Sequence, residues 1–304
     1  MSETLFLVNP ASGNGAAGRR WPEIRRRAAA VGLTGKAFVS RAPGEIADFA
    51  RRVPDGSTDL LVVVGGDGAV NEAVNGLLST KRETLPELAV VMIGTGRDFA
   101  RSHGIPTSLA GALAVARSGR TTVADAGVVR HRGEDGSERK TFFANVGSAG
   151  MSGAVARRAD ASSKALGGRV TFLLALVRVF SRWQNTELTV ELASERRTGK
   201  MTNVVVANGP YHAGGMWLAP QARPDDGLFD VVLFGDISKV DFVRNVAKIY
   251  RGTHVDHPKI DVVRSDVVTV ESPEPLPLEV DGEQPGTTPA RFEILPRALR
   301  VRVP

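Results

Sequence analysis

The run Val62-Val63-Val64-Gly65-Gly66-Asp67-Gly68-Ala69-Val70-Asn71-Glu72 joins a β-branched apolar stretch to a glycine turn carrying one carboxylate. Glycine lets backbone approach an anion closely, and a helix opening after the turn aims unpaired N–H groups and its positive dipole end at a phosphate. Asp67 does not serve the phosphate directly, because two anions repel. Its chemistry is to hold a Mg2+ or to accept a proton. Two more glycine turns follow apolar runs in the same way, Asn9-Pro10-Ala11-Ser12-Gly13-Asn14-Gly15 and Gly94-Thr95-Gly96-Arg97-Asp98-Phe99-Ala100-Arg101. One such turn is ordinary loop chemistry, whereas three in one sheet point to a nucleotide-phosphate cradle. The chain has no GxxxxGK[ST] sequence. Gly13 to Gly18 matches a dinucleotide GxGxxG by spacing, but Phe38-Val39-Ser40-Arg41 supplies no acidic residue for a ribose.

These turns need a frame, and the first third of the chain supplies one. Leu5 to Val8, Lys36 to Ser40, Leu60 to Val64 and Ala89 to Ile93 read as strands. Trp21 to Val31, Ile46 to Val53 and Val70 to Leu78 read as helices between them. Such alternation predicts a parallel sheet with helices on both faces, whose ligands bind beyond the carboxyl ends of the strands. After about Val123 the pattern changes. Ala126 to Arg132, Lys140 to Val146, Glu187 to Leu192, Met201 to Ala207, Phe229 to Phe234, Val267 to Glu271 and Leu278 to Val280 read as short strands of an antiparallel sandwich. Two helices interrupt it, Arg169 to Ser181 and Lys239 to Tyr250, the second with Ser238 as N-cap. Alone, Asp281-Gly282-Glu283 reads as a hairpin turn with solvated charges, and Arg223-Pro224-Asp225-Asp226-Gly227-Leu228 as a type I turn.

Composition narrows the classes. At 304 residues, two domains sharing a cleft are expected, and 42% apolar residues suffice for a sizeable core. The absence of cysteine removes disulfides, Cys-based zinc and thiol nucleophiles, and fits a reducing cytosol. The start MSETLFLVNP does not read as a secretory signal, and the apolar run Val170 to Val177 is too short to span a bilayer, so a soluble protein without a transmembrane segment is expected. A net charge of +6 and a pI near 10.0 favour an anionic partner, although an arginine-rich solvated surface explains them equally well. With 6% aromatics, not interleaved with the basic residues, nucleic acid is not expected as a partner.

Six segments, taken in order, resemble the bacterial diacylglycerol kinase-like lipid kinases, whose catalytic domain is shared with sphingosine and ceramide kinases. NPASGNG, VVVGGDGAVNEAVNGL and IGTGRDFARSHGIP are similar to the family's nucleotide-site segments, and FFANVGSAGMSGAVA, GGMWLAPQARPDDGLFDVVLF and LEVDGE to its second-domain segments. The likeness covers nearly the whole chain. It implies an NAD-kinase-like α/β domain over about 1–123, to which 291–304 returns, and an all-β sandwich with one or two helices over about 124–290. It also implies transfer of the ATP γ-phosphoryl group to a lipid hydroxyl in an interdomain cleft, with ATP and Mg2+ as cofactors. By the same likeness, Asn9, Pro10, Ala11, Ser12, Gly13, Ser40, Gly65, Gly66, Asp67, Gly68, Ala69, Val70, Asn71 and Thr95 surround the nucleotide. Asp67 holds the catalytic Mg2+ or organises the phosphates, while Asp281 and Glu283 approach from the sandwich. Glu283 is the preferred base, with Asp281 and Asp67 as rivals, since neighbouring carboxylates titrate together. A structural Mg2+ is implied on the Asp226 side chain and the carbonyls of Arg223 and Leu228.

Two residues depart from the family pattern: Ala69 stands where a Thr is usual and Arg97 where an Asn is usual. Arg97 is a fixed cation that strengthens phosphate binding, pairs with Asp98, or marks a changed activity. An NAD kinase, which also carries a GGDG turn, is the alternative enzyme. A nucleotide- or lipid-binding regulator that has lost transfer is the alternative of another class. A lipid acceptor implies work at a membrane surface, on the inner face if the protein is cytoplasmic. Gly167 to Leu174 and the Trp183 region are candidates to face lipid, with Arg178 and Arg182 meeting headgroups, although such a stripe also suits a core. The acceptor and the oligomeric state, a homodimer included, are left open.

Overall fold

The computed structural model describes residues 3–160 and 176–304. The chain divides into two compact units, Met1–Asp125 with Pro296–Pro304, and Ala126–Leu295.

In the first unit, β1 (Thr4–Val8), β2 (Lys36–Val39), β3 (Leu60–Gly65) and β4 (Glu87–Met92) pair in parallel in the order β2-β1-β3-β4. Every residue of β1 and β3 is buried, as continuous apolar runs require when both sheet faces are covered. One face carries α1 (Ala16–Ala30) and α5 (Leu109–Ser118), whose Ile24, Ala28 and Leu113 pack on Phe6, Val62 and Val91. The other carries α2 (Glu45–Arg52) and α3 (Asp67–Leu78). These two approach closely at Gly76, where a Cβ would stand 2.4 Å from the Ala47 carbonyl. The short α4 (Asp98–Ser102) follows β4. Helix α1 starts five residues before the expected Trp21. Gly13, Asn14 and Gly15 are all left-handed, with φ of 62, 54 and 79°, and turn the chain into the helix at once.

The second unit is a β-sandwich. One sheet holds the part of β5 (Arg120–Arg132) from Ala126 on, β6 (Glu138–Phe143), β8 (Thr186–Leu192), β9 (Arg196–Met201), β15 (Val267–Glu271) and the first part of β17 (Thr287–Val303). The other has the antiparallel order β14-β13-β10-β7-β16, formed by Ile260–Ser265, Phe229–Phe234, Asn203–Ala207, Val146–Gly150 and Leu278–Val280. The short β11 (Tyr211–His212) and β12 (Met216–Trp217) make a separate ribbon. Phe143, Phe229 and Phe292 lie at the centre of the core between the sheets. The unit holds more helix than the one or two expected: α6 (Met151–Asp160), residues 176–182 (α7) and α8 (Lys239–Ile249). Ser238 caps α8 by accepting the Asp241 N–H. The first part of the expected helix Arg169–Ser181, and the stripe Gly167–Leu174, lie outside the described residues.

Two differences from the sequence expectation bear on the site. The apolar run Lys140 to Val146 is two strands, because the chain pivots at Ala144-Asn145 between β6 and β7. Polar β9 gives no alternating apolar signal, whereas the long β17 alternates at Ala290–Ile294 and again at Leu299–Val303, on either side of Pro296; neither is among the expected strands.

Candidate active site

The three glycine loops leave the carboxyl ends of adjacent strands β1, β3 and β4 and are tied to one another. The Ser12 hydroxyl oxygen accepts the Gly66 N–H at 3.0 Å, joining the first loop to the second. The Ile93 N–H donates to the Gly65 carbonyl at 2.6 Å. A Cβ at Gly13 would meet the Ile93 carbonyl at 3.3 Å, so the first and third loops also touch. Within the first loop the Asn9 carboxamide oxygen accepts the Ala11 N–H at 3.0 Å, and Pro10 packs under Gly18. Ser40 is buried at the end of β2, its N–H donating to the Val8 carbonyl.

Asp67 opens α3 yet serves the third loop. Its Oδ2 accepts the Arg97 N–H at 2.7 Å, and its Oδ1 accepts those of Asp98 and Phe99 at 2.8 and 3.2 Å. It therefore caps α4, a five-residue helix with no side-chain cap of its own. Burial is the main cause that pushes the Asp67 carboxyl above its ordinary value, and the charge of Asp98 adds to it, while the three N–H donors pull the other way. Gly96 keeps this arrangement open, since a Cβ there would lie 2.3 Å from Oδ2. Gly65 is equally constrained, as its Cβ would stand 2.6 Å from that of Ala69. Ala69, Val70 and Asn71 are buried in the first turns of α3, and Thr95 is exposed in the third loop.

Asp98, expected from the sequence as a partner for Arg97, is placed differently by the fold. It is 6% exposed and pairs with Arg101 at 2.8 Å. The Arg97 side chain donates through Nε to the Gly94 carbonyl at 3.0 Å. Arg97 is itself left-handed (φ 61°, ψ 30°), a conformation that costs an ordinary residue about 1–2 kcal/mol and that Asn tolerates. Arg97→Asn is expected to keep the fold, with a gain of up to about 1 kcal/mol after loss of the Gly94 bond, which a denaturant titration checks.

In the second unit, Val280-Asp281-Gly282-Glu283 is a two-residue hairpin. Val280 and Glu283 exchange both backbone bonds at 2.8 and 3.0 Å, and Asp281 and Gly282 have φ of 46 and 95°. Positive φ at both central residues makes it a type I′ turn, for which Asp-Gly is a preferred pair. Asp281 is not simply solvated. Its Oδ2 accepts the Ala144 N–H at 2.8 Å, and its Oδ1 those of Asn145 and Val146 at 3.0 and 2.9 Å. The pivot between β6 and β7 presents these three donors. Glu283 is exposed at the outer end of the turn.

The Asp226 turn also holds more than its sequence showed. Asp226 Oδ1 accepts the Leu228 N–H at 3.2 Å, and Oδ2 pairs with Arg264. Nearby, Asp230 is 1% exposed and its Oδ2 has no hydrogen-bond partner. Burial is the main cause raising its carboxyl; the Arg264 charge opposes it, and the Asp226 charge adds to it. Carboxylate and carbonyl oxygens are the hard ligands that Mg2+ takes, so the donor set of this turn suits it, with Arg264 competing for Asp226. Such an ion would be held by Asp226 with the carbonyls of Arg223 and Leu228, sharing Asp226 with Arg264. Added Mg2+ is expected to raise the melting temperature by a few degrees, and Asp226→Ala to remove that response in a thermal-shift titration.

Among the described residues, no three His, Asp or Glu side chains gather as a metal cage. A Mg2+ at Asp67 would therefore take most of its ligands from phosphate oxygens and water, as Mg2+ commonly does. Arg158, Arg178 and Arg182 line one depression with Val179 and Trp183, where Trp183 is half-buried and packs on Met151 and Val155.

This fold, a parallel sheet bearing three linked glycine loops and a separate β-sandwich, is that of NAD kinase-like phosphotransferases. Residues 3–129 match the diacylglycerol kinase catalytic domain, and residues 145–303 match the YegS C-terminal NAD kinase beta sandwich-like domain. The chain belongs to the bacterial diacylglycerol kinase-like lipid kinase family. It is 26% identical over 299 residues to the diacylglycerol kinase of Staphylococcus carnosus, covering 98% of this chain and 94% of that one. A Staphylococcus aureus diacylglycerol kinase is 27% identical over 299 residues, with 98% and 91% covered. A crystal structure of a diacylglycerol kinase from Bacillus anthracis superimposes with a TM-score of 0.75 at 20% identity, covering 100% of this chain and 97% of that one. Yeast NADH kinase complexed with NADH shares the fold with a TM-score of 0.51 at 11% identity, covering 99% and 82%.

Proposed function

We propose that this protein transfers the γ-phosphoryl group of ATP to the hydroxyl of a diacylglycerol-like or sphingoid lipid at a membrane surface. The observation that carries the reading is Asp67, whose two oxygens bind three N–H groups of the third glycine loop and so fix the loops that would cradle the phosphates. Asn9 to Gly13, Ser40, Gly65 to Asn71 and Thr95 form the nucleotide side. Glu283 takes the proton of the attacking hydroxyl as its oxygen bonds to the γ-phosphorus and ADP leaves, and Asp281 holds the turn that carries Glu283. Bound Mg2+ neutralises charge on the phosphate oxygens. No helix among the described residues is long and apolar enough to cross a membrane.

Incubation with γ-labelled ATP, a panel of diacylglycerol, sphingoid base, ceramide, undecaprenol and phosphatidylglycerol, and NAD tests this. Label in a lipid is the expected result. Label in NADP would make the protein an NAD kinase, and nucleotide binding without transfer would make it a regulator.

A further inference from the structure

Glu279 lies on β16, two residues before Asp281, where an exposed charge would attract no notice. It is 2% exposed. Its Oε1 accepts the Gly282 N–H at 2.5 Å and faces His212 Nε2 at 3.3 Å, while its Oε2 lies 2.8 Å from Ser148 Oγ. Ser148 Oγ in turn lies 2.6 Å from Ser152 Oγ, and Ser152 Oγ 2.9 Å from the Asn203 carboxamide oxygen. That oxygen also accepts the Ser152 backbone N–H at 3.2 Å, which fixes it as an acceptor.

Counting protons along this chain of oxygens decides who donates. Asn203 Oδ1 has no hydrogen, so the Ser152 hydroxyl gives its only proton to Asn203. Ser148 must then give its only proton to Ser152. The remaining contact, Ser148 to Glu279 Oε2, has no hydrogen unless Glu279 supplies it. We propose that Glu279 is a neutral carboxylic acid, protonated on Oε2, and that with His212 it is the positioning residue for the Asp281-Gly282 turn and hence for Glu283. Oε1 is then the carbonyl oxygen, accepting from Gly282 N–H and from His212 Nε2–H. The titratable groups facing it are His212 and Asp281. Burial, the largest cause, pushes the Glu279 carboxyl above its ordinary value and the Asp281 charge adds to it, in agreement with the proton count, against the opposing pulls of His212, the Gly282 N–H and Ser148. A neutral acid can hold the turn without adding a third negative charge beside Asp281 and Glu283.

The positioning role rests on the lipid kinase reading, whereas the protonation state does not, and one set of variants separates them. Glutamine mimics the neutral acid, since its amide donates to Ser148 and its carbonyl accepts from Gly282. Difference infrared spectra of the wild type and Glu279→Gln at neutral pH should show loss of a protonated-carboxyl C=O stretch. Loss of an ionised-carboxylate band would overturn the proposal. With γ-labelled ATP and dioctanoylglycerol in mixed micelles, Glu279→Ala is expected to lower kcat about 10- to 100-fold with KM for ATP unchanged, and Glu279→Gln to recover most of it. A Gln variant as impaired as the Ala variant, or an Ala variant with full kcat, would overturn the positioning role. Hydrogen exchange at Gly282 should be accelerated in the Ala variant and restored in the Gln variant; unchanged exchange in both would overturn the brace. If the wild type labels no lipid, the kinase reading fails while the infrared and exchange results still decide the state of Glu279.

Discussion

Asp67→Ala is expected to abolish phosphoryl transfer and to lower the unfolding free energy by about 1–3 kcal/mol, the cost of leaving buried N–H donors unpaired. Three donors lose their acceptor at once, those of Arg97, Asp98 and Phe99. Helix α4 has too few residues to hold itself, so the loss spreads to the third glycine loop. Asn is not a neutral replacement. Its oxygen can serve one side of the carboxylate, but its NH2 then faces an N–H on the other, so Asp67→Asn should recover only part of the stability and none of the transfer.

The Asp67 carboxyl also gives the stability difference a pH dependence. Its value in the folded chain is raised above 3.8, so the stability linked to it is fully present below that value and is lost as pH rises through the folded value. The gap between wild type and Asp67→Asn should therefore be widest below pH 3.8 and narrow as pH rises toward neutrality. Denaturant titrations across that range, with label transfer at neutral pH, check both parts. A gap that widened with pH would mean that the ionised carboxylate is favoured by folding.

The second large effect separates Asp281 from Glu283. Glu283→Gln should leave the melting temperature essentially unchanged, because an exposed substitution usually stays within about 0.5 kcal/mol, and should lower kcat by about 10²- to 10⁴-fold as a general base is lost. Asp281→Ala should lower both stability and transfer. It strands the N–H groups of Ala144, Asn145 and Val146, and it places alanine at a φ of 46° that Asp tolerates better. If Asp281→Asn lost transfer at full stability while Glu283→Gln kept it, the base would be Asp281.

The sequence exposed those parts of this molecule whose chemistry is local. Each glycine loop follows an apolar strand directly, and parallel pairing alone then brings the three loops to the same ends of neighbouring strands. Asp-Gly at 281–282 marks its own turn, because few other pairs accept positive φ twice. What stayed hidden depends on partners far along the chain. The pivot at Ala144-Asn145 is set by a carboxylate 136 residues away, and nothing in the apolar run Lys140 to Val146 announces it. Glu279 occupies a strand position where alternation predicts an outward charge, and only the fold surrounds it with Ser148 and His212. For the same reason Asp67 reads as a ligand by type, while its bonds to a neighbouring loop are visible only in the fold.

Strand β17 carries a consequence for the order in which the protein can be made. Its first residues belong to the sandwich, whereas Pro296–Pro304 complete the first unit. There Arg300 and Val301 pair in parallel with Glu87 and Leu88, Arg300 and Arg302 bind the Glu87 carboxylate, and Asp125 accepts the Arg297 N–H at 2.7 Å. A nascent chain that has synthesised only the glycine loops leaves β4 as an open edge, ready to pair with any passing strand. The first unit is thus finished only after the sandwich has been translated, so a ribosome that stalls between the two would release an aggregation-prone fragment rather than a complete unit.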